Sequence, residues 1–346
     1  LLLLGTFLFF SLGSGNPLTG CPPDCAEVDY SKADLVAEDL TGYDLSLANL
    51  SGANLTGANV ANANLYFANM QNATLNGVDL SDSNLRGAYL NGANLSNANL
   101  QGTNLSGARL FGAILHGADL TGANLKGAIL DHANLDDVLL DETTIIHDRW
   151  RTVWAIINGS ADLRALAGAN LSGANLENAD LRNANLTDAN LRNAMLEGAD
   201  LSGASLEGAR LHQVSNDGTT QLDDKWLMVV TLLNEVEAGR QLGGIDLGGA
   251  NLSSAFLSDA NLSGADLSDT VLLVADLHRA NLCDTHLKNA EMYDASLRNA
   301  DLCRADLRGA NLNNADLTWA NWRDSIINDD TVLSDHYRLI WSVINE

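Results

Sequence analysis

Proline occurs three times in 346 residues, aromatic side chains make up 5%, and 19 lysines and arginines stand against 44 aspartates and glutamates. So few rings and prolines exclude an ordinary mixed core. The formal charge of -25 excludes direct electrostatic attraction to nucleic acid or to an anionic membrane surface. It leaves cationic partners, or simple solubility, as the meaning of the acidic excess. Seven histidines are scattered, no Cys and His cluster has metal-site spacing, and no glycine-rich loop could cradle a phosphate. The reading is therefore of no catalytic, cofactor or metal site. What is abundant is Leu and Ala, which supply most of the 46% hydrophobic fraction, together with Asn and Gly. Such bias directs attention to internal repeats.

The first ten residues, Leu1 to Phe10, form an apolar run of the length of a signal-peptide core, with no initiator Met and no basic stretch before it. Export is the expectation, either as a secreted chain or through an N-terminal membrane anchor. Leu18-Thr19-Gly20-Cys21 resembles a bacterial lipobox, which makes Cys21 a lipidation candidate. A small disulfide loop from Cys21 to Cys25 is the competing reading.

From Leu35 a five-residue unit recurs, as in Ala48-Asn49-Leu50-Ser51-Gly52, and between 35 and 140 every multiple of five is Leu except Val60 and Met70. Two further arrays, Leu166 to Leu211 and Leu242 to Trp322, keep the period in shifted phases. Five fits neither a helix, at about 3.6 residues per turn, nor a continuous strand, at 2, so the chain must turn once per unit. Leu and the Ala two before it then point inward each time, and the Asp or Asn between them faces solvent. Gly or Asn suits the corner, where positive φ is wanted.

These units, Ala-(Asp/Asn)-Leu-X-X over about residues 31 to 328, strongly resemble the pentapeptide-repeat family. The resemblance implies an all-β solenoid, a right-handed quadrilateral parallel β-helix, with coils of about 20 residues stacked about 4.8 Å apart. Stability is then summed over neighbouring coils, and terminal coils need special treatment. Glu38 and Tyr43 in the opening coil and Trp322 in the closing one depart from the pattern as capping requires.

Three related stretches interrupt or close the arrays: His147 to Asn158, Asp223 to Asn234, and Ser334 to Asn345, preceded by Thr143-Thr144, Thr219-Thr220 and Thr331. Trp150, Val153, Trp154 and Ile157 share one face of a helix of about three turns. Asp223 and Ser334 sit where N-caps are wanted. Trp150, Trp154, Trp226, Tyr337 and Trp341 are expected to pack the helices against solenoid ends, the last helix covering exposed strand edges. The chain divides into a partial signal peptide or lipoprotein signal (1–20), a linker (21–30), arrays at 31–146, 161–215 and 239–328, a helix (147–160), a loop and helix (216–238), and a C-terminal capping helix (329–346).

A coil of about 20 residues makes residues 20 apart neighbours. Asp39, Asn59, Asp79, Asn99 and Asp119 then alternate charge sensibly, Asp284 lies beside Arg304 and His286 beside Asp306, whereas Asp180 on Asp200 and Asp246 on Asp266 stack like charges. Cys283 and Cys303 become adjacent and form a second disulfide candidate. The leading functional expectation is a non-catalytic exported solenoid whose acidic, Asn/Asp/Ser-rich surface binds a protein or cell-envelope component, without nucleic acid. The alternatives are a DNA mimic binding DNA gyrase, as the resemblance implies for some cytoplasmic members, and a glycan or ice binder. Neither the partner nor the oligomeric state is readable.

Overall fold

The computed structural model describes residues 23–345. Parallel bridges join each outward Asp or Asn position to the residue 20 further on, one bridge every five residues, as in Asn49↔Asn69 and Asn54↔Thr74. Four units therefore make a four-sided coil, and every side is a parallel ladder. Leu50 N–H donates to Asn69 O at 2.7 Å, and Asn69 N–H donates back to Ala48 O at 2.9 Å. Each coil is thus bonded to the next in both directions, which satisfies the backbone of an otherwise Leu-filled interior.

The corners follow from the side chains beside them. Ala53 N–H donates to Leu50 O at 3.0 Å, closing a β-turn whose third residue, Gly52, has φ 65°. Where glycine is absent, Asn or Asp usually takes this left-handed position, as at Asn62 and Asp82. At Gly87 glycine has a second reason: a Cβ there would lie 2.8 Å from the Phe67 ring. The outward Asp or Asn braces the same turn, since Asn49 Oδ1 accepts from Ser51 N–H at 3.2 Å and Asp44 Oδ1 from Ser46 N–H at 3.0 Å. Amide side chains also bond coil to coil, Asn84 Nδ2 donating to Asn64 Oδ1 at 2.9 Å.

Inward positions are dry. Leu50, Ala53, Leu85 and Leu110 are fully buried, each Leu contributing about 1.5–3 kcal/mol as an upper estimate. Where Thr replaces Ala inside, its hydroxyl finds a local acceptor: Thr270 donates to Leu267 O and Thr285 to Leu282 O, both at 2.6 Å.

The first coil starts earlier than the repeat pattern indicates. Asp24 pairs with Asp44 and Asp29 with Asn49, so residues 24–30 belong to the solenoid and not to the linker assigned to 21–30. Buried Cys25 and Tyr30 hold the places that Leu holds elsewhere, which hid the unit from a search for Leu.

The chain divides into two compact units, Leu1–Trp154 and Ala155–Glu346. Three helices occur among the described residues: α1 (Asp148–Ile157), α2 (Asp224–Asn234) and α3 (Asp335–Asn345), with a 3-10 turn at Leu163–Ala165. Just before each helix the spacing of the ladder slips by one residue: Asn124 pairs with Ile145, Asp200 with Gln221 and Asn311 with Val332. Every array closes with the same single-residue insertion. In the second unit Gly208 N–H donates to Gly249 O at 2.8 Å, so the last coil of the second array meets the first of the third along one corner.

Candidate functional site

The extra residue in each closing coil builds one turn three times over. Thr144 Oγ1 donates to Leu120 O at 3.0 Å, Thr220 to Leu196 O at 2.8 Å, and Thr331 to Leu307 O at 3.0 Å, always 24 residues back. The turn opens on Asp141, Asp217 or Asn328, whose N–H donates to the hydroxyl of the same Thr. Hydrogen bonds from the Thr143 and Thr144 side chains and from Gly122 N–H hold the Asp141 carboxyl down to about 2. The Thr219 side chain, first among several donors, lowers that of Asp217.

Each helix begins four residues after its threonine. Trp150 and Trp226 are buried, and the Tyr337 ring lies 5.9 Å from that of Trp322, itself buried in the last coil. Trp154 Nε1 donates to Val138 O at 2.7 Å, and Trp341 Nε1 to Ser325 O at 3.3 Å, each reaching back 16 residues. Arg151 donates to Thr144 O at 2.8 Å, and Arg338 to Thr331 O. Asp223 occupies the N-cap of α2 but its side chain makes no capping bond; its Oδ1 accepts instead from Gly203 N–H at 3.4 Å. The five aromatic residues singled out by the sequence thus lie on the helices, two of them as hydrogen-bonding pins that periodicity does not disclose.

Cys283 and Cys303 are joined, with Cα atoms 4.5 Å apart on adjacent coils. Cys25 is buried in the first coil, and Cys21 lies outside the described residues. Asp301 shares the neighbourhood of the Cys283–Cys303 bridge, and His116, Asp136 and Asp137 form a second donor group on an exposed corner.

The stacked carboxylates carry counter-charges that a comparison at 20-residue spacing cannot see. Arg182, in the corner two residues after Asp180, holds that carboxylate at 2.8 and 2.6 Å and lies 3.8 Å from Asp200. Its hydrogen bond is the main reason Asp180 is lowered to about 2. Lys225, from α2, lies 3.3 Å from Asp246 and also draws Asp266 down, after the larger effect of Ser268. Arg304 grips Asp284 at 2.7 and 2.6 Å, and Arg308 grips Asp306, holding it at about 2. These Asp pairs are accordingly bridged by cations of the protein itself.

With the interior filled, chemistry is confined to the outer faces. Depressions among the described residues are shallow: one lies between α3 and residues 327–329, and another borders the Gly208–Gly249 corner, where carboxylates of Asp188, Glu207, Asp266 and Asp269 converge. Next to that corner His212 Nε2 meets Ser253 O, and burial pushes its pKa down. No described helix is long and apolar enough to cross a membrane.

Eight copies of the family model "Pentapeptide repeats" match, at residues 44–82, 79–117, 118–147, 166–203, 178–215, 241–272, 275–310 and 294–324. Curated protein sequences give no match. Among solved structures, HetL of the cyanobacterium Nostoc, a pentapeptide repeat protein involved in heterocyst differentiation regulation, is 24% identical over 91% of this chain and 95% of its own, with a TM-score of 0.28. A pentapeptide repeat protein of the Arabidopsis thaliana thylakoid lumen is 31% identical over 33% of this chain and 76% of its own, with a TM-score of 0.30. Rfr23 of the cyanobacterium Cyanothece is 31% identical over 36% and 92%, with a TM-score of 0.28.

Proposed function

The chain belongs to the pentapeptide-repeat family, whose members fold as right-handed quadrilateral β-helices, and from that premise we propose that it is an exported, non-catalytic display solenoid. Its outer faces bind a protein or a component of the cell envelope. The observation that carries this reading is the closed interior: inward Leu and Ala are buried along all three arrays, so no substrate enters and recognition is left to the outside. Export is supported by the apolar run at Leu1 to Phe10 and by the bridged Cys283 and Cys303, since such bonds persist in oxidising compartments. Attachment through the N-terminus uses either that apolar run or lipid on Cys21.

Fractionation of cells expressing the full gene tests this, combined with lipid labelling of the native chain and Cys21→Ala. Recovery of the protein in the envelope or medium supports the reading, and a wholly cytosolic protein removes it. A DNA mimic needs a continuous acidic face. The cations seated in the third array, Arg279 on Asp259 and Arg304 on Asp284, interrupt one. Inhibition of gyrase supercoiling by the purified protein would restore that alternative.

A further inference from the structure

Beyond its opening coil, whose Asp29 and Asp34 pair with Asn49 and Asn54, the first array is divided lengthwise into two chemically opposite halves. On two adjacent sides, residues 46–54, 66–74, 86–94 and 106–114 contain no Asp or Glu, in a chain that has 44. In the next coil, 126–134, the one carboxylate is Asp131, paired with Arg149 at 2.6 Å. The same two sides carry Arg86, Arg109 and Lys126, which are all the lysines and arginines between 35 and 140. The opposite two sides hold Asp79, Asp82, Asp119, Asp136 and Asp137.

Exposed rings also gather on the half without carboxylates. Tyr66 and Phe67 meet edge to face at 4.6 Å, and Phe67 lies over Gly87 on the next coil. The Arg109 guanidinium sits 5.1 Å over the Tyr89 ring, and Phe111, 49% exposed, lies 4.9 Å from His132. Asn91 Oδ1 accepts from Phe111 N–H at 3.2 Å, which ties that corner to its neighbour. A solubilising surface in so acidic a protein has no reason to exclude carboxylates while exposing aromatic rings. Rings and cations follow one another along the coil axis in three steps of about 4.8 Å, over a strip about 14 Å long. The step is comparable with the rise of one sugar in an extended chain.

We propose that this half of the first array binds a linear polysaccharide whose sugars carry carboxylates. The apolar faces of the sugar rings lie on Tyr66 and Phe111, the carboxylates meet Arg86, Arg109 and Lys126, and the Tyr89 ring holds the Arg109 guanidinium in place. Guanidinium recognises carboxylate in a fixed planar geometry, and an aromatic face supplies area at small entropic cost. The acidic residues Asp79, Asp82 and Asp119 lie on the other two sides of the coil, and physiological salt screens charges over about 8 Å.

This inference rests on the reading that the outer faces do the binding. Calorimetric titration of the whole chain with hexagalacturonate tests it, with uncharged cellohexaose, hexaglutamate and oligothymidylate as comparison ligands. The expected result is saturable binding of hexagalacturonate that weakens with salt. Arg109→Ala and Tyr89→Ala should each weaken it tenfold or more, and Asp82→Asn on the opposite half should leave it unchanged. Circular dichroism establishes that the variants fold, and amide-exchange protection at residues 86–111 of the native chain on adding ligand reads the same site without a variant. Absence of saturation by hexagalacturonate, equal or tighter binding of any comparison ligand, or protection elsewhere overturns the proposal. A protein that fails here yet fractionates with the envelope loses the glycan and keeps the display role. One that binds and stays cytosolic does the reverse.

Discussion

Helices α2 and α3 follow the same turn and begin at the same distance from its threonine, yet they are held in different ways. In α2, Trp226, Val229, Val230 and Leu232 are all buried, and Lys225 reaches the third array. In α3 no residue is buried, and Val343, which stands where α2 has Leu232, is 75% exposed. The polar pins show the converse. Arg338 and Trp341 tie α3 to Thr331 and Ser325, whereas α2 has Leu227 and Val230 in those places. A helix covered on two faces is kept by apolar burial, and one resting on a single coil is kept by directed hydrogen bonds.

That contrast is most directly broken by core truncation. Leu232→Ala should cost about 2–5 kcal/mol and Val343→Ala no more than about 0.5 kcal/mol in denaturant unfolding, because only the first empties a filled site. Equal costs would mean that α3 is covered in solution. Next in size, Arg338→Ala leaves the Thr331 carbonyl without its donor and should loosen α3 by about 1–2 kcal/mol, read as faster amide exchange confined to residues 335–345. Thr220→Val and Thr331→Val should then cost about 1 kcal/mol each and, unlike the helix variants, match each other, since both remove one bond to a leucine carbonyl and the acceptor of the turn's opening N–H.

The smallest effect is in acid. The Asp141 carboxyl titrates at about 2 in the folded chain against an ordinary 3.8. Its contribution is therefore fully present above that ordinary value and is lost as pH falls toward about 2. Asp217, also lowered, behaves alike, while Asn328 in the third turn does not titrate. Amide exchange followed from pH 5 down to 2.5 should show the first two closing turns loosening and the third unchanged. Equal loosening of all three would place the acid response elsewhere.

Much of this was legible in the sequence, for a physical reason. Alternation of Leu, Asn and Ala at a period of five is imposed by a closed interior, so the inward set, the corner glycines and the three helices could be read from residue type and spacing. The coil of 20 then brought Arg304 to Asp284 and Cys283 to Cys303, as found. What escaped was set by neighbours outside that lattice. Arg182 neutralises Asp180 and Asp200 from a corner two residues away, and Lys225 does so from a helix. The indole bonds of Trp154 and Trp341 depend on how a helix lands on a coil, which no repeat encodes. The opening coil was missed because Cys25 and Tyr30 pack where Leu was sought. The aromatic half of the first array was present in the residues as an absence of carboxylates, visible only once the sides of the coil are separated.

The closing turn, finally, makes length and termination independent of one another. Its threonine reaches back 24 residues, the helix tryptophan 16, and Asn234 and Asn345 each 21, to Gln213 and Asp324. All of these contacts fall within the last coil or its immediate neighbour. A stop signal that inspects only the final coil tolerates any number of coils before it. Gene segments encoding 20 residues can therefore be gained or lost in an array's middle and the same ending still fits, whereas a gain of five would keep the ending but turn it by a quarter of a coil relative to the array's start.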